Sequence, residues 1–416
     1  MRFSLTNSLN KELYISIFVV HSISIVSNIL IYSLVSRKFG EEAFSIFSIY
    51  KRYFALFLSS TVIGVAVALP RQMIVQKEDN SMYFFASIFL IGIPFLFFSL
   101  GLIIFKNEVS LLLFDDIKFS YILDIICISL PFYYYNIIVS SYLRGIFRIL
   151  ESNILISLTS VCILISYFVA NNISNMLIIN NVFVGLITII FQRKYVTLNF
   201  NISVKSLKPS MKKLFSYGAP RIIGDISFES FSTLPVLIIT KTSGLISAGY
   251  LSLGITLLKI IGLMCSPLTN ILLPITAKKF KENNFQEIKN DVKSLFKIFV
   301  PIGIFTTITL FFISKYIVII FLGIENEESE VIFKIISFSA LPVIIFYVLK
   351  SINDAIYEFA INSVICFLGI LAFSGLYLLL FTLSNHPLES VLYSVVFAFV
   401  LLSVLSLYFF SKKIKK

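Results

Sequence analysis

Six of the charged residues inside otherwise apolar stretches have types and spacing that define the chemistry open to the chain. Lys51 and Arg52 are adjacent inside one apolar run, Lys259 lies inside another, and Arg221, Asp225 and Glu229 follow one another at intervals of four in a third. Intervals of four put the last three along one face of a helix. A charge at the centre of a bilayer costs at least about 2.5–3.5 kcal/mol on insertion scales, so such residues line a pathway, pair, or reach the interface. Arginine suits bidentate contact with phosphate. The carboxylates suit binding of a proton or a coupling cation. Structural roles stand beside these. Lys51 and Arg52 can snorkel outward on their aliphatic stems. Arg221, next to Pro220, can close the end of its helix, and Asp225 can pair with Lys259, which falls at a similar depth. His21 reads as a packed neutral residue and His386, beside Pro387, as inert. Asn28 and Asn136 read as interhelical hydrogen-bonding groups. No catalytic constellation and no metal or cofactor site is expected. The four cysteines sit singly in apolar runs without a CxxC pair, the pattern of small packing residues.

The elements that must position these groups follow from composition. Of 416 residues, 58% are hydrophobic and 13% charged, about half the charged share of a soluble domain. Mean hydropathy is +0.95. Apolar runs recur at approximately 13–36, 43–69, 82–105, 118–140, 152–170, 173–191, 214–240, 245–275, 294–322, 331–351, 359–382 and 388–411. Each is long enough for a spanning helix of about 20 residues. The first is read as a span and not as a removed signal peptide. The sequence thus predicts an all-α polytopic membrane protein with twelve spans in two six-helix bundles, residues 1–200 and 201–416.

Charge placement sets the expected orientation. The net charge of +12 is not a nucleic-acid signal, because the basic residues crowd at the ends of apolar runs. With twelve spans, 22 basic residues fall on the side of the termini and five (Arg37, Lys38, Lys106, Lys118 and Lys241) on the other. The positive-inside rule then places both termini in the cytoplasm. The acidic segment Glu325, Glu327, Glu328, Glu330 falls outside, and the tail of the ninth run, 316–322, is a candidate interfacial segment. The basic connections near 192–213 and 276–293 would face anionic headgroups. No connection exceeds about 25 residues, which leaves no room for a soluble catalytic domain, and no P-loop is present.

The halves repeat. Adding 204 to Arg37, Gly40 and Pro70 gives Lys241, Gly244 and Pro274, and the segment around Pro131 has a counterpart around Pro342. Six spans per half makes the repeats parallel, related by an axis along the membrane normal.

Several stretches carry a family resemblance: "RKFGEEAFSIFSIYKRYF", "ALPRQM", "SYLRGIFR" at 141–148 and "LFSYGAPRIIGD" at 214–225. With their order and the twelve spans, they resemble the Wzx-type polysaccharide (O-antigen) flippases of the multidrug/oligosaccharidyl-lipid/polysaccharide exporter superfamily. The resemblance implies two bundles forming a V around a central, often cationic cavity. It implies transfer of an undecaprenyl-diphosphate-linked oligosaccharide across the bacterial inner membrane, coupled to H+ or Na+. Basic residues of the second and eighth spans line the cavity in the related lipid II flippases, which puts Lys51, Arg52 and Lys259, with Arg221, forward as substrate-binding residues. Asp225 and Glu229 become the coupling-ion candidates. Implied partners are the lipid-linked substrate, membrane lipids, and a polysaccharide polymerase with its chain-length regulator. The two extra spans of lipid II flippases are absent, which favours the O-antigen type. The competing readings are a cation-coupled drug exporter of the same superfamily, whose cavities are usually acidic, and a membrane polysaccharide polymerase.

Overall fold

The computed structural model describes residues 8–75, 80–197, 204–265, 276, 279–323, 326–357 and 359–414, leaving aside the side chains at 8–18, 75, 204–206 and 263. Pro274 and Glu325 lie outside this description. All regular structure among the described residues is helical, as hydrocarbon demands of a chain that must satisfy its own backbone. Among the described residues ten helices are each long and apolar enough to span a bilayer, and two bent pairs raise the number to twelve if each pair is one span. Large side chains such as Phe97, Phe305, Phe312 and Leu383 face outward. The interior is rich in serine and threonine, which let helices approach and whose hydroxyls bond back to the preceding turn, as Ser87 does to Tyr83 O (2.8 Å) and Ser129 to Ile125 O (2.6 Å).

The chain forms two compact units, and two of the three boundaries fall inside helices: one unit holds residues 1–39 and 53–225, the other 40–52 and 226–416. The first is built from α1 (Ser8–Phe39), the second part of α2 (Glu41–Thr61), α3 (Val65–Val75), α4 (Asn80–Ile104), α5 (Lys106–Phe114), α6 (Ser120–Gly145), α7 (Ile149–Val169), α8 (Ile173–Tyr195) and the first part of α9 (Val204–Thr242). Asn28 donates to Ser160 Oγ (3.0 Å), joining α1 to α7, and Asn136 donates to Thr188 Oγ1 (2.9 Å), joining α6 to α8. Both asparagines thus serve as the interhelical groups anticipated for them.

The second apolar run is not one straight helix. It breaks at 62–64, and α2 and α3 meet at 42°. Ile63 holds φ +51 and Gly64 φ +62; a β-branched residue in the left-handed region is a strained position. Pro70 adds a second perturbation, because it has no N–H to give the carbonyl of Ala66 four residues back. Arg144 Nη2 (3.1 Å) and Ser141 Oγ (3.3 Å) donate to Ala66 O instead. The "SYLRG" segment therefore completes the backbone of "ALPRQM" and fixes α3 against α6.

The second unit holds the start of α2, the rest of α9, α10 (Leu245–Met264), α11 (Phe285–Leu322), α12 (Glu327–Ser337), α13 (Ala340–Ile356), α14 (Ile361–Ser384) and α15 (Pro387–Ile414). α12 and α13 are the other bent pair, at 45°. Two boundaries differ from the sequence reading. The two basic connections are helical in part, since α9 begins at Val204 and α11 at Phe285. α11 then runs unbroken through 316–322, so that tail continues the helix for a total of about 57 Å at 1.5 Å per residue. α9 likewise runs on through Pro209, Pro220 and Pro235.

The repeat has a physical expression within this unit. Gly40 (φ +87) and Gly244 (φ +95) take up the same left-handed conformation, the usual closing residue of a helix. Beyond them α2 and α10 meet at residues separated by the same offset. A Cβ on Gly249 would lie 2.4 Å from Ser45 Oγ and 2.7 Å from its Cα. Ser252 Oγ donates to Ser48 O at 2.9 Å. Residues i and i+204 thus face each other, as a two-fold relation between the two helices requires. Replacing Gly249 by valine should therefore destabilise the protein by about 3 kcal/mol through overpacking, read as a lower midpoint of thermal unfolding in detergent. Valine at Gly101, where nothing lies within 4 Å, should leave the midpoint unchanged.

Candidate functional site

The α2–α10 seam positions Arg52. Counting one turn on from Ser48 brings its side chain against Ser252, and the residue is only 5% exposed. Nε donates to Ser252 Oγ (3.1 Å), and Nη2 donates to Ser252 O (2.7 Å) and to Thr256 Oγ1. Thr256 stands 204 residues after Arg52, so the guanidinium is held by its own repeat counterpart. Ser252 Oγ in turn donates its hydrogen bond to Ser48 O, which leaves the hydroxyl oxygen to accept from Nε. A buried guanidinium costs little only when its donors are met in this way.

Lys259 lies one turn beyond Thr256 on α10. Its Nζ is 2.7 Å from Glu229 Oε2 on α9, and each side chain is 20% exposed. The carboxylate partner is Glu229 and not Asp225; the expected depth match was off by one helical turn, and Asp225 belongs to the other unit. Phe228, next to Glu229, presents its ring to two ammonium groups, Lys259 at 5.3 Å and Lys350 of α13 at 5.0 Å from the centroid. A ring face attracts cations through its quadrupole. Phe346 and Tyr347 of α13 pack against Phe228 at 6.4 and 6.1 Å between centroids. The Tyr347 ring reaches this place because α10 carries glycine at 262, where a Cβ would sit 2.4 Å from the ring. The charges of Arg52 and Lys350 both act on Lys259, and Arg52 acts on Glu229 as well.

Of the residues singled out from the sequence, Arg52, Lys259 and Glu229 are thus brought together. Lys51 turns elsewhere, with its Nζ 5.5 Å from the centroid of the Phe47 ring one turn back on α2. Arg221 lies in the other unit, donating from Nη1 to Tyr217 O (3.1 Å) and stacking over the Tyr217 ring. Lys350, Phe228 and Tyr347 were missed. Lys350 reads as a loop lysine in the sequence, but it lies within α13, about 9 Å from the end of that helix at 1.5 Å per residue. Phe228 is one of 44 phenylalanines, with no pattern to mark it. The assembled group is a pair of ammonium groups, Lys259 and Lys350, over one aromatic ring, with Glu229 on Lys259 and the charge of Arg52 acting on that ion pair. Such a set can bind an anion that replaces the carboxylate at Lys259.

No family model matches the sequence, and no curated protein matches it. Solved structures do resemble the fold. An inward-facing multidrug resistance MATE family transporter of the MOP superfamily aligns with a TM-score of 0.74 at 10% identity, over 97% of this chain and 98% of that one. A MOP superfamily transporter from Pyrococcus furiosus, described as having a binding pocket of reverse polarity, aligns with a TM-score of 0.72 at 11% identity, over 97% and 94%. A MATE transporter from Vibrio cholerae gives 0.67 at 12%, over 98% of each chain. The chain has the MATE/MOP fold.

The Lys259–Glu229 pair should behave as a buried ion pair. Glu229→Gln leaves an ammonium without its counter-ion and should cost roughly 3 kcal/mol, whereas Glu229→Gln with Lys259→Met should recover most of the loss. A double-mutant cycle on unfolding free energies in detergent checks this. Equal losses that simply add would show the two side chains to be uncoupled.

Proposed function

We propose that the protein is a flippase that carries an undecaprenyl-diphosphate-linked oligosaccharide across the bacterial inner membrane. The observation that carries this reading is the excess of positive charge around Phe228. Lys259 and Lys350 both lie over that ring, Glu229 pairs with Lys259 alone, and the charge of Arg52 acts on the pair from the α2–α10 seam. A diphosphate brings two or more negative charges and acceptors for both a guanidinium fork and ammonium groups. The fold supports membrane transport, being that of the MATE and MOP transporters to which the chain is similar. The reverse pocket polarity described for the Pyrococcus furiosus transporter supports a cargo unlike that of the drug exporters. The quoted motifs support the oligosaccharide class.

In this reading Glu229 is the resident counter-ion of Lys259. Arrival of the diphosphate takes Lys259 from Glu229, and the released carboxylate takes up a proton or a sodium ion. Departure of the cargo reverses both steps. Anion passage is thereby linked to a cation gradient through one shared lysine, without a separate coupling site. Lys51 acts as an outer relay over Phe47. Both termini face the cytoplasm, and a polysaccharide polymerase with its chain-length regulator receives the product.

A cation-coupled drug exporter is the second reading, and the observation favouring it is the carboxylate itself, since Glu229 would bind a cationic drug once freed from Lys259. The two readings part in one assay. Proteoliposomes holding the Arg52→Gln, Lys259→Gln, Lys350→Gln protein should translocate a fluorescent diphosphate-linked oligosaccharide more slowly than the unaltered protein, by about 1,000-fold or more, each lost charged contact being worth about 1.5–3 kcal/mol. A well-folded triple variant that flips the lipid at the normal rate refutes the assignment. Efflux of a cationic dye that depends on Glu229, with no lipid transfer, establishes the exporter.

A further inference from the structure

We propose that Arg71, Tyr217 and Arg221 form a second anion site, on the first unit, that takes a phosphate-bearing group at the membrane surface. The cluster in the second unit plays no part in this argument. Two motif segments that are far apart in the sequence, "ALPRQM" and "YGAPR", converge on it. The guanidinium carbons of Arg71 and Arg221 each lie 4.0 Å from the centroid of the Tyr217 ring, so the two cations lie within twice that distance of one another.

The arrangement is held from three directions. A Cβ on Gly64 would lie 2.6 Å from Gly218 O, and one on Gly218 would lie 2.3 Å from Ile63 O. The backbones at the start of α3 and in α9 therefore touch, next to Tyr217. Arg144, through the carbonyl that Pro70 leaves unmatched, fixes the turn of α3 that carries Arg71. Arg221 Nη1 is bonded to Tyr217 O at 3.1 Å, one turn back on its own helix. Three separate devices thus bring two like charges together on one ring.

Among the described residues neither arginine forms an ion pair. Lys208, Lys212 and Lys213 on the same end of α9 add to the positive potential. Like charges held this close, with no carboxylate between them, are stabilised when an anion bridges them. A guanidinium lying on a ring uses its face for the ring and keeps its edge of N–H donors for a ligand. Two such edges match the several oxygens of a phosphate better than the single edge of a carboxylate. Arg71 is exposed and Tyr217 and Arg221 are half-buried, so the edges are accessible. By the charge count this is the side of the termini. The source of the phosphate is either a lipid headgroup or a soluble phosphate compound.

The test uses the full chain in phosphatidylcholine nanodiscs. One arm titrates inorganic pyrophosphate and reads Kd by calorimetry. The other replaces part of the phosphatidylcholine by phosphatidic acid and counts retained phosphatidic acid by native mass spectrometry. Arg71→Gln and Arg221→Gln should each weaken binding roughly tenfold or more, the value of a charge-assisted contact. Tyr217→Leu keeps both charges but removes their platform and should weaken binding by a similar factor. Arg148→Gln is the control, because Arg148 already pairs with Glu151 at 3.0 Å. Should Arg71→Gln not fold, Arg71→Lys keeps the charge, loses the fork and carries the same expectation.

Loss confined to the phosphatidic acid arm, or present in both arms, supports the site with a lipid headgroup as ligand. Loss confined to the pyrophosphate arm supports it with a soluble phosphate as ligand. Wild-type binding of both probes by Arg71→Gln, Arg221→Gln and Tyr217→Leu overturns it. Binding that falls only in the Arg52→Gln, Lys259→Gln protein also overturns it, while leaving the proposed function to its own transport assay.

Discussion

A guanidinium placed among apolar helices persists only where the backbone or a hydroxyl meets its donors, and the second unit is arranged around that requirement at Arg52. The carbonyl of Ser252 and the hydroxyls of Ser252 and Thr256 supply the acceptors. They are within reach because α2 and α10 approach closely, and they approach closely because Gly249 lies against Ser45. The same approach sets where the next turn of α10 falls, and so places Lys259 beside Glu229 and Phe228. Glycine at one position, serine at two and threonine at one thus hold a buried positive charge in a fixed place. Oil offers no hydrophobic drive for helix association, so small residues and hydroxyl bonds are the available means.

Arginine is used differently in the first unit. Arg144 is deeply placed, yet its partner is a backbone carbonyl that Pro70 has left without a donor. Its function is to repair a helix, and the charge is incidental to a strong, long-reaching donor. Arg71 and Arg221 show a third use, stacked on Tyr217 with no carboxylate partner among the described residues. Sign alone therefore does not separate structural from ligand-binding arginines in a membrane. What separates them is whether the donors end on the protein's own acceptors or remain available at an accessible edge.

Much of the helical layout was legible in the sequence, since a run of about 20 apolar residues has few options other than a spanning helix. The bends were less legible. Pro70 marks a perturbation, but the break lies at Ile63, whose positive φ no propensity announces. Arg52 and Lys259 could be singled out as charges in apolar runs. Glu229 could be singled out too, but its partner could not be assigned, because a depth estimate carries an error of about one turn and Asp225 and Glu229 differ by one turn. Lys350 was hidden by its position near a helix end, where a lysine is ordinary. The meaning of "ALPRQM" and "YGAPR" was hidden for another reason. Their juxtaposition depends on the Gly64–Gly218 contact, and a contact between glycines leaves no pattern in hydropathy or charge.

The internal carboxylate is the feature that most needs reconciling with an anionic cargo. Cations left without a counter-ion in a low-dielectric site repel one another, and burial penalises their charged form. A resident carboxylate offsets that cost at Lys259, and it does so from a helix, α9, that also belongs in part to the other unit. A permanent, fully neutralised cluster would bind nothing, and lysines with no carboxylate would be driven toward neutral amines. One carboxylate on one of the two lysines lies between these limits. It leaves enough residual charge to draw a diphosphate and provides a group that must be neutralised when the diphosphate takes its place. On the proposed function, that exchange is the step at which cargo and coupling cation become stoichiometric.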